Sequence, residues 1–345
     1  MTFPRILQNQ EGFSTEEYRR CTTSLAEALD RKVVPAWLKR LRNNGFVAGL
    51  LMYWCADHYD VVVTVSHRPA MVYGFMNRIF VHKKPVHVAK EFFLDGESEK
   101  APSLRSRILS RLYQFSLKHV QGIIVNATGE IAPYAIALDL PESRFHFIPW
   151  PSNVVDPQRI LDHDRSILAV GRSLRDWNTF FDAVKEMDLR CIVIASQHDV
   201  QGLKIPDNVE LHLDVSRSTY LQFLQKSMMV VIPLLKTKRS TGQASFLEAM
   251  AYAKPVVVAD VIGARDYITD MVNGLTYIPE NAIDLRHKII SLSSDDNLRE
   301  QIGNGGFQSI HDTFNKKAYT QAMLQYLQTL MNDAQGVDAM REHIS

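Results

Sequence analysis

Residues 240–274 read STGQASFLEAMAYAKPVVVADVIGARDYITDMVNG, and the order of parts in this stretch decides the fold. A loop of small residues opens a helical pattern. The helix carries one carboxylate, Glu248, among Phe246, Leu247, Met250 and Ala251, and a short apolar run follows at 255–260. Loop, helix and buried strand in that order form one unit of a parallel sheet with crossover helices. The first turn of such a helix points free N–H groups outward with partial positive charge, which suits a phosphate. Ser240, Thr241 and Gly242 are expected to cap it and to let a ligand approach the backbone. Glu248, about two turns in, is expected to accept hydrogen bonds from sugar hydroxyls.

The same alternation runs outward in both directions. Strands are predicted at 60–66 (DVVVTVS), 86–92, 122–128 and 145–150, with an opening strand at 5–10. Helices are predicted at 14–30, 69–80, 103–119 and 129–138. Prolines 149, 151 and 157 then mark a linker, because proline removes a donor and fixes the backbone. Beyond it, strands are predicted at 166–171, 191–196, 228–234 and 255–260, with an edge strand at 273–278. A helix at 176–187 starts at a capping Asp176, and 282–330 reads as mostly helical. The expected architecture is α/β, with two doubly wound domains at 1–150 and 151–318 facing a central cleft. A terminal helix at 319–345 is expected to pack back on the first domain.

Composition narrows the function. Lys and Arg total 39 against 38 Asp and Glu, so no overall field draws in nucleic acid. The three cysteines, Cys21, Cys55 and Cys191, are scattered and lack metal-ligand spacing, which fits free thiols in a cytoplasmic setting. The first twenty residues lack an apolar run after a basic start, so no signal peptide is expected. The longest apolar run, 46–56, is too short to span a membrane. Two basic amphipathic stretches, 35–42 and 104–120, suit peripheral contact with an anionic membrane; a solvated helix face is the alternative.

Ligands of doubly wound sheets bind outside the carboxyl ends of the strands. Two segments fall there. Gly171-Arg172-Ser173-Leu174-Arg175 follows a strand directly, so a sharp turn brings two guanidinium groups beside a helix N-terminus, an arrangement suited to a diphosphate. The cationic loop 236–243 (KTKRSTGQ) follows another strand and feeds the helix of Glu248, placing Gly242 and Gln243 where its amides emerge. A nicotinamide enzyme would need G-x-G-x-x-G after a strand; the glycines at 303–306 lie among helices instead.

Leu247-Glu248-Ala249-Met250-Ala251, Lys254-Pro255-Val256-Val257 and Asn273-Gly274-Leu275 together resemble the retaining nucleotide-sugar glycosyltransferases of GT-B fold, group 1. The resemblance covers about 167–277. It implies two Rossmann-like domains, a nucleotide diphosphate sugar as donor, no metal or other cofactor, and a glycan, lipid-linked or small-molecule acceptor. By resemblance, Arg172 binds the donor diphosphate, and Arg175 stands nearest the family's lysine in a shortened loop. The second of the family's paired glutamates matches Glu248 and would hold the ribose hydroxyls; the first falls at Ser240. Contact with the donor sugar is therefore expected from Thr241, Gly242 or Gln243. His67, after the strand 60–66, would hydrogen-bond the donor sugar or orient the acceptor, and Gln10-Glu11-Gly12-Phe13 stands where the family has a Gly-rich loop. The missing glutamate and lysine also fit a nucleotide-sugar-binding protein without transfer activity.

Overall fold

The computed structural model describes residues 4–10, 15–32, 35–80, 85–92 and 104–342. The chain divides into two units, Met1–Ile148 with Tyr319–Ser345, and Pro149–Ala318.

Unit 1 runs β1 (Ile6–Gln8), α1 (Glu16–Cys21), β2 (Thr22–Ser24), α2 (Leu25–Asp30), α3 (Ala36–Arg40), α4 (Gly45–Cys55) and β3 (Val61–Val65). It continues with α5 (His67–Ile79), β4 (Val86–Lys90), α6 (Leu104–Leu117), β5 (Gly122–Val125), α7 (Ile131–Leu138) and β6 (Phe145–Phe147). Its parallel sheet has the order β2-β1-β3-β4-β5-β6. Every residue of β3, β4 and β5 is buried, as a sheet covered on both faces requires.

The single helix expected over 14–30 is in fact interrupted by a strand. Thr22–Ser24 pairs in parallel with Ile6–Gln8. Two adjacent threonines are stiff at χ1 and favour extended backbone. Ser24 then starts a new helix through a capping box: its hydroxyl accepts from the Glu27 amide (3.3 Å), and Glu27 accepts from the Ser24 amide (2.9 Å).

Unit 2 runs β7 (Ile167–Val170), α8 (Trp177–Val184), β8 (Cys191–Ala195), α9 (Gln197–Val200), β9 (Val209–Leu213), α10 (Arg217–Lys226) and β10 (Met229–Ile232). It continues with α11 (Gln243–Ala251), β11 (Val256–Ala259), α12 (Ile262–Arg265), β12 (Leu275–Tyr277), α13 (Ala282–Ser294) and α14 (Asp296–Asp312). Its sheet, also parallel, has the order β12-β11-β10-β7-β8-β9. Numbered within the unit, that is the Rossmann order, with the topological switch between β7 and β10. Asp176 caps α8 as expected, accepting from the Thr179 amide at 3.0 Å.

The last helix, α15 (Lys316–Glu342), returns to unit 1. Met323 and Leu327 are fully buried against Ile6, Val61, Val63 and Val88.

Candidate active site

In a sheet of this order, successive connections leave the switch point to opposite faces and ligands bind outside the carboxyl ends of the strands there, which in unit 2 are β7 and β10. Both segments singled out by the sequence begin there. Gly171 extends β7, donating its amide to Ile194 O at 3.1 Å. A Cβ on Gly171 would lie 1.9 Å from Nε of Arg175, so no side chain fits beside that guanidinium. Arg175 donates from Nε to Val170 O (3.0 Å), from Nη1 to Ser173 O (2.8 Å) and from Nη2 to Ser245 Oγ on α11 (3.4 Å). Burial pushes its pKa down to about 10. The Asp176 amide donates to Pro233 O (2.7 Å) and the Leu235 amide to Leu174 O (3.1 Å), zipping the loops after β7 and β10 together. Arg175 thus ties the β7 turn to α11. Arg172 is exposed and makes no hydrogen bond or ion pair among the described residues.

The loop before α11 differs from expectation at its cap. Neither Ser240 nor Thr241 caps the helix: the N-cap is Gly242 at φ +96°, and no side chain accepts there. Gly242 O takes the amides of Ser245 (2.9 Å) and Phe246 (3.1 Å). A Cβ at Gly242 would sit 3.0 Å from both δ carbons of Leu234 in a left-handed conformation, so glycine fits where other residues strain. Ser240 is buried and Thr241 half-buried. Gln243 is buried and donates to Gly263 O on α12 at 3.4 Å.

Glu248 is buried on α11, and both its oxygens are taken by one residue that the sequence reading missed. Arg217, the first residue of α10, donates from Nη1 to Oε2 (2.7 Å) and from Nη2 to Oε1. The pair raises the pKa of Arg217, chiefly through the hydrogen bond. Tyr220, raised first by burial and then by the Glu248 charge, lies under the guanidinium at 5.3 Å. A buried carboxylate signals that a cation is near. The sequence does not say which, because Arg217 stands 31 residues away in a segment with no clear periodicity.

Other residues of the resemblance hold the scaffold. Lys254 is buried at the opposite end of β11, donates to Asp162 O (3.1 Å), and is pushed down to about 8 by burial. Asn273 donates to Tyr267 O (2.9 Å) and Ser309 Oγ (3.1 Å), fixing the turn into β12.

In unit 1 the switch point falls between β1 and β3. A cavity of about 390 Å³ lies there, lined among others by Asn9, Gln10, Arg42, Ser66 and His67. Asn9 holds the floor, accepting the Val65 amide (2.6 Å) and donating to Val65 O (3.2 Å). Ser66, at φ +77°, turns the chain so that α5 starts at His67, whose half-buried ring meets Tyr113 edge-on at 6.2 Å. Lys90 and Glu91 end β4; burial lowers the first pKa and raises the second, with 3.9 Å between Nζ and Oε1. Glu11, Gly12 and Phe13 lie outside the described residues.

Residues 192–309 match the family of glycosyl transferases group 1. An uncharacterized glycosyltransferase of Methanocaldococcus jannaschii, MJ1178, is 28% identical over 133 residues, 36% of each chain. The chain thus spans about a third of the curated relative it matches. Among solved structures, sucrose-phosphate synthase from Thermosynechococcus elongatus superposes with a TM-score of 0.68, at 16% identity, over 95% of this chain and 88% of that one. Anabaena HepE in complex with UDP-glucose superposes at 0.69 and 13% identity, over 94% of this chain and all of that one (100%). These likenesses define the class: an α/β protein of the GT-B fold, with two Rossmann-like sheets. The family match itself lies within unit 2, over residues 192–309.

Proposed function

We propose that the protein transfers a sugar from a nucleotide diphosphate sugar to an acceptor hydroxyl, with retention of configuration, in the cytoplasm. The observation that carries the reading is the pairing, at one switch point, of an unpartnered cation, Arg172, with a helix N-terminus that no side chain caps. Both favour a diphosphate, and both stabilise the negative charge that builds as the bond between sugar and phosphate breaks. The backbone at Gly171, Gly242, Thr241 and Gln243 shapes the floor of the donor site, Ser240 stands behind it, and Arg175 fixes its walls. Glu248 serves the ribose. Under this reading the leaving phosphate takes the acceptor proton and the cations serve without a metal. The cavity of unit 1 takes the acceptor, with His67 on its wall.

HepE has been solved with UDP-glucose, which supports a nucleotide-sugar donor here. The acceptor fits a lipid-linked or membrane-borne glycan, because unit 1 exposes an apolar and basic helix face. Trp37, Phe46, Leu50 and Trp54 on α3 and α4 are exposed, as are Leu104 and Ile108 on α6. Arg68 and Arg78 lie over Phe46 and Phe115. No helix among the described residues is long and apolar enough to cross a membrane, so contact would be peripheral.

Arg172→Ala tests the reading. It should cut turnover of a nucleotide sugar by about 10²-fold or more, with the melting temperature unchanged, since losing one charge-stabilising donor costs that much. Equal turnover would remove Arg172 from the site. Binding of UDP- and GDP-sugars without turnover by the wild type would favour the alternative of a binder that has lost transfer.

A further inference from the structure

We infer that Arg217 is a specificity-determining residue of the donor pocket, an internal competitor for the carboxylate that would hold the donor's ribose. The inference rests on the reading of Glu248 given above. The guanidinium meets the carboxylate end-on, Nη1 to Oε2 and Nη2 to Oε1, one N–H for each oxygen. A vicinal diol presents two O–H donors at a similar spacing to the same edge. Fork and diol therefore exclude each other on Glu248. A single hydroxyl does not meet that conflict: a carboxylate offers about four lone-pair sites, and with the fork on two of them and the Tyr220 hydroxyl on a third, one is left for a lone hydroxyl but not two for a diol.

Arg217 is the partner built to let go. The Glu248 side chain is 8% exposed and set in the middle of α11, whereas that of Arg217 is 59% exposed. Arg217 also stands in the first turn of α10, where the partial positive charge of the helix end opposes a cation. Its guanidinium also lies over the face of Tyr220 at 5.3 Å. A ribonucleotide must strip the fork away before both hydroxyls dock. A 2′-deoxynucleotide keeps one hydroxyl and docks without that step. Arg217 thus weakens ribonucleotide binding and narrows the gap between ribose and deoxyribose.

Calorimetric titration at about pH 8 tests this with UDP, GDP and their 2′-deoxy counterparts. Arg217→Ala should bind the preferred ribonucleotide about ten-fold tighter than wild type, and the deoxy counterpart less than about three-fold tighter. In a Glu248→Gln background the same substitution should change neither affinity. Should Arg217→Ala melt without a cooperative transition, Arg217→Lys, which offers a single point donor, should give a smaller gain of the same sign. A ribonucleotide affinity equal to or below wild type would overturn the proposal and make Arg217 a support for Glu248. Failure of wild type and variant alike to bind either ribonucleotide would overturn the donor-pocket reading itself.

Discussion

His87 is fully buried on β4, with Nε2 3.0 Å from Thr64 Oγ1 and the Tyr73 ring edge-on at 4.6 Å. Burial alone pushes its pKa from the ordinary 6.5 down to about 3. The unfolded chain therefore takes up a proton below 6.5 that the native chain refuses until about 3. Stability falls as pH drops through that window, by about 1.4 kcal/mol per pH unit from this group. His87→Gln should melt lower than wild type at neutral pH and lose less on acidification, so the two melting curves converge toward pH 4. Parallel losses in thermal scans across that range would clear His87 as the source. At this scale legibility depended on sequence distance. Arg172 and Gly242 could be read because each adjoins the element that places it. Arg217 could not, since its role arises only when α10 is laid beside α11.

Elements were legible where burial imposed a pattern. The inner strands β3, β4, β7, β8, β10 and β11 are short apolar runs, and their burial is nearly complete. The edge strand β9 alternates Glu210 and His212 with apolar residues, is half-exposed, and was not anticipated. Nor was β2, where three residues between two helices give too little pattern to outweigh a helical reading. The stretches that form α3 and α6 were legible as basic and amphipathic but not as to what meets their outer faces, while α4 was legible only as an apolar run. Phe46, Leu50 and Trp54 form one exposed stripe at a spacing of four, beside the basic residues Arg40, Arg42 and Arg68. Each arginine near an anionic surface contributes about 1 kcal/mol and is screened by salt. Wild type should therefore float with phosphatidylglycerol vesicles but not with phosphatidylcholine vesicles, and dissociate when salt is raised. Phe46→Glu with Trp54→Glu should reduce flotation at least about ten-fold, since both apolar burial and charge are then reversed. Flotation unaffected by this pair would place any membrane contact elsewhere.

At the scale of the molecule, the chain builds its first unit from both of its ends. The strand order of each sheet explains why both candidate sites lie at switch points, and the chain passes from one unit to the other between Ile148 and Pro149. The return of α15 rests on packing. Met323 and Leu327 are fully buried among Ile6, Val61, Val63 and Val88, and the Tyr326 ring stacks on His146 at 4.2 Å. Burying a Met or Leu side chain contributes roughly 1.5–3 kcal/mol. Two of them, with the half-buried Tyr319, Leu324, Tyr326 and Leu330, therefore approach the roughly 5–15 kcal/mol that holds an ordinary domain folded. Truncation after Ala318 strips that layer and opens the apolar face of β1, β3 and β4 to water. In calorimetry the truncated chain should lose the transition of unit 1 and keep that of unit 2, which is built from residues 149–318. Limited proteolysis should then cut within 1–148 and spare 149–318. Both transitions surviving at their original temperatures would mean that unit 1 folds without its last helix, and that α15 is an accessory rather than a part of the core.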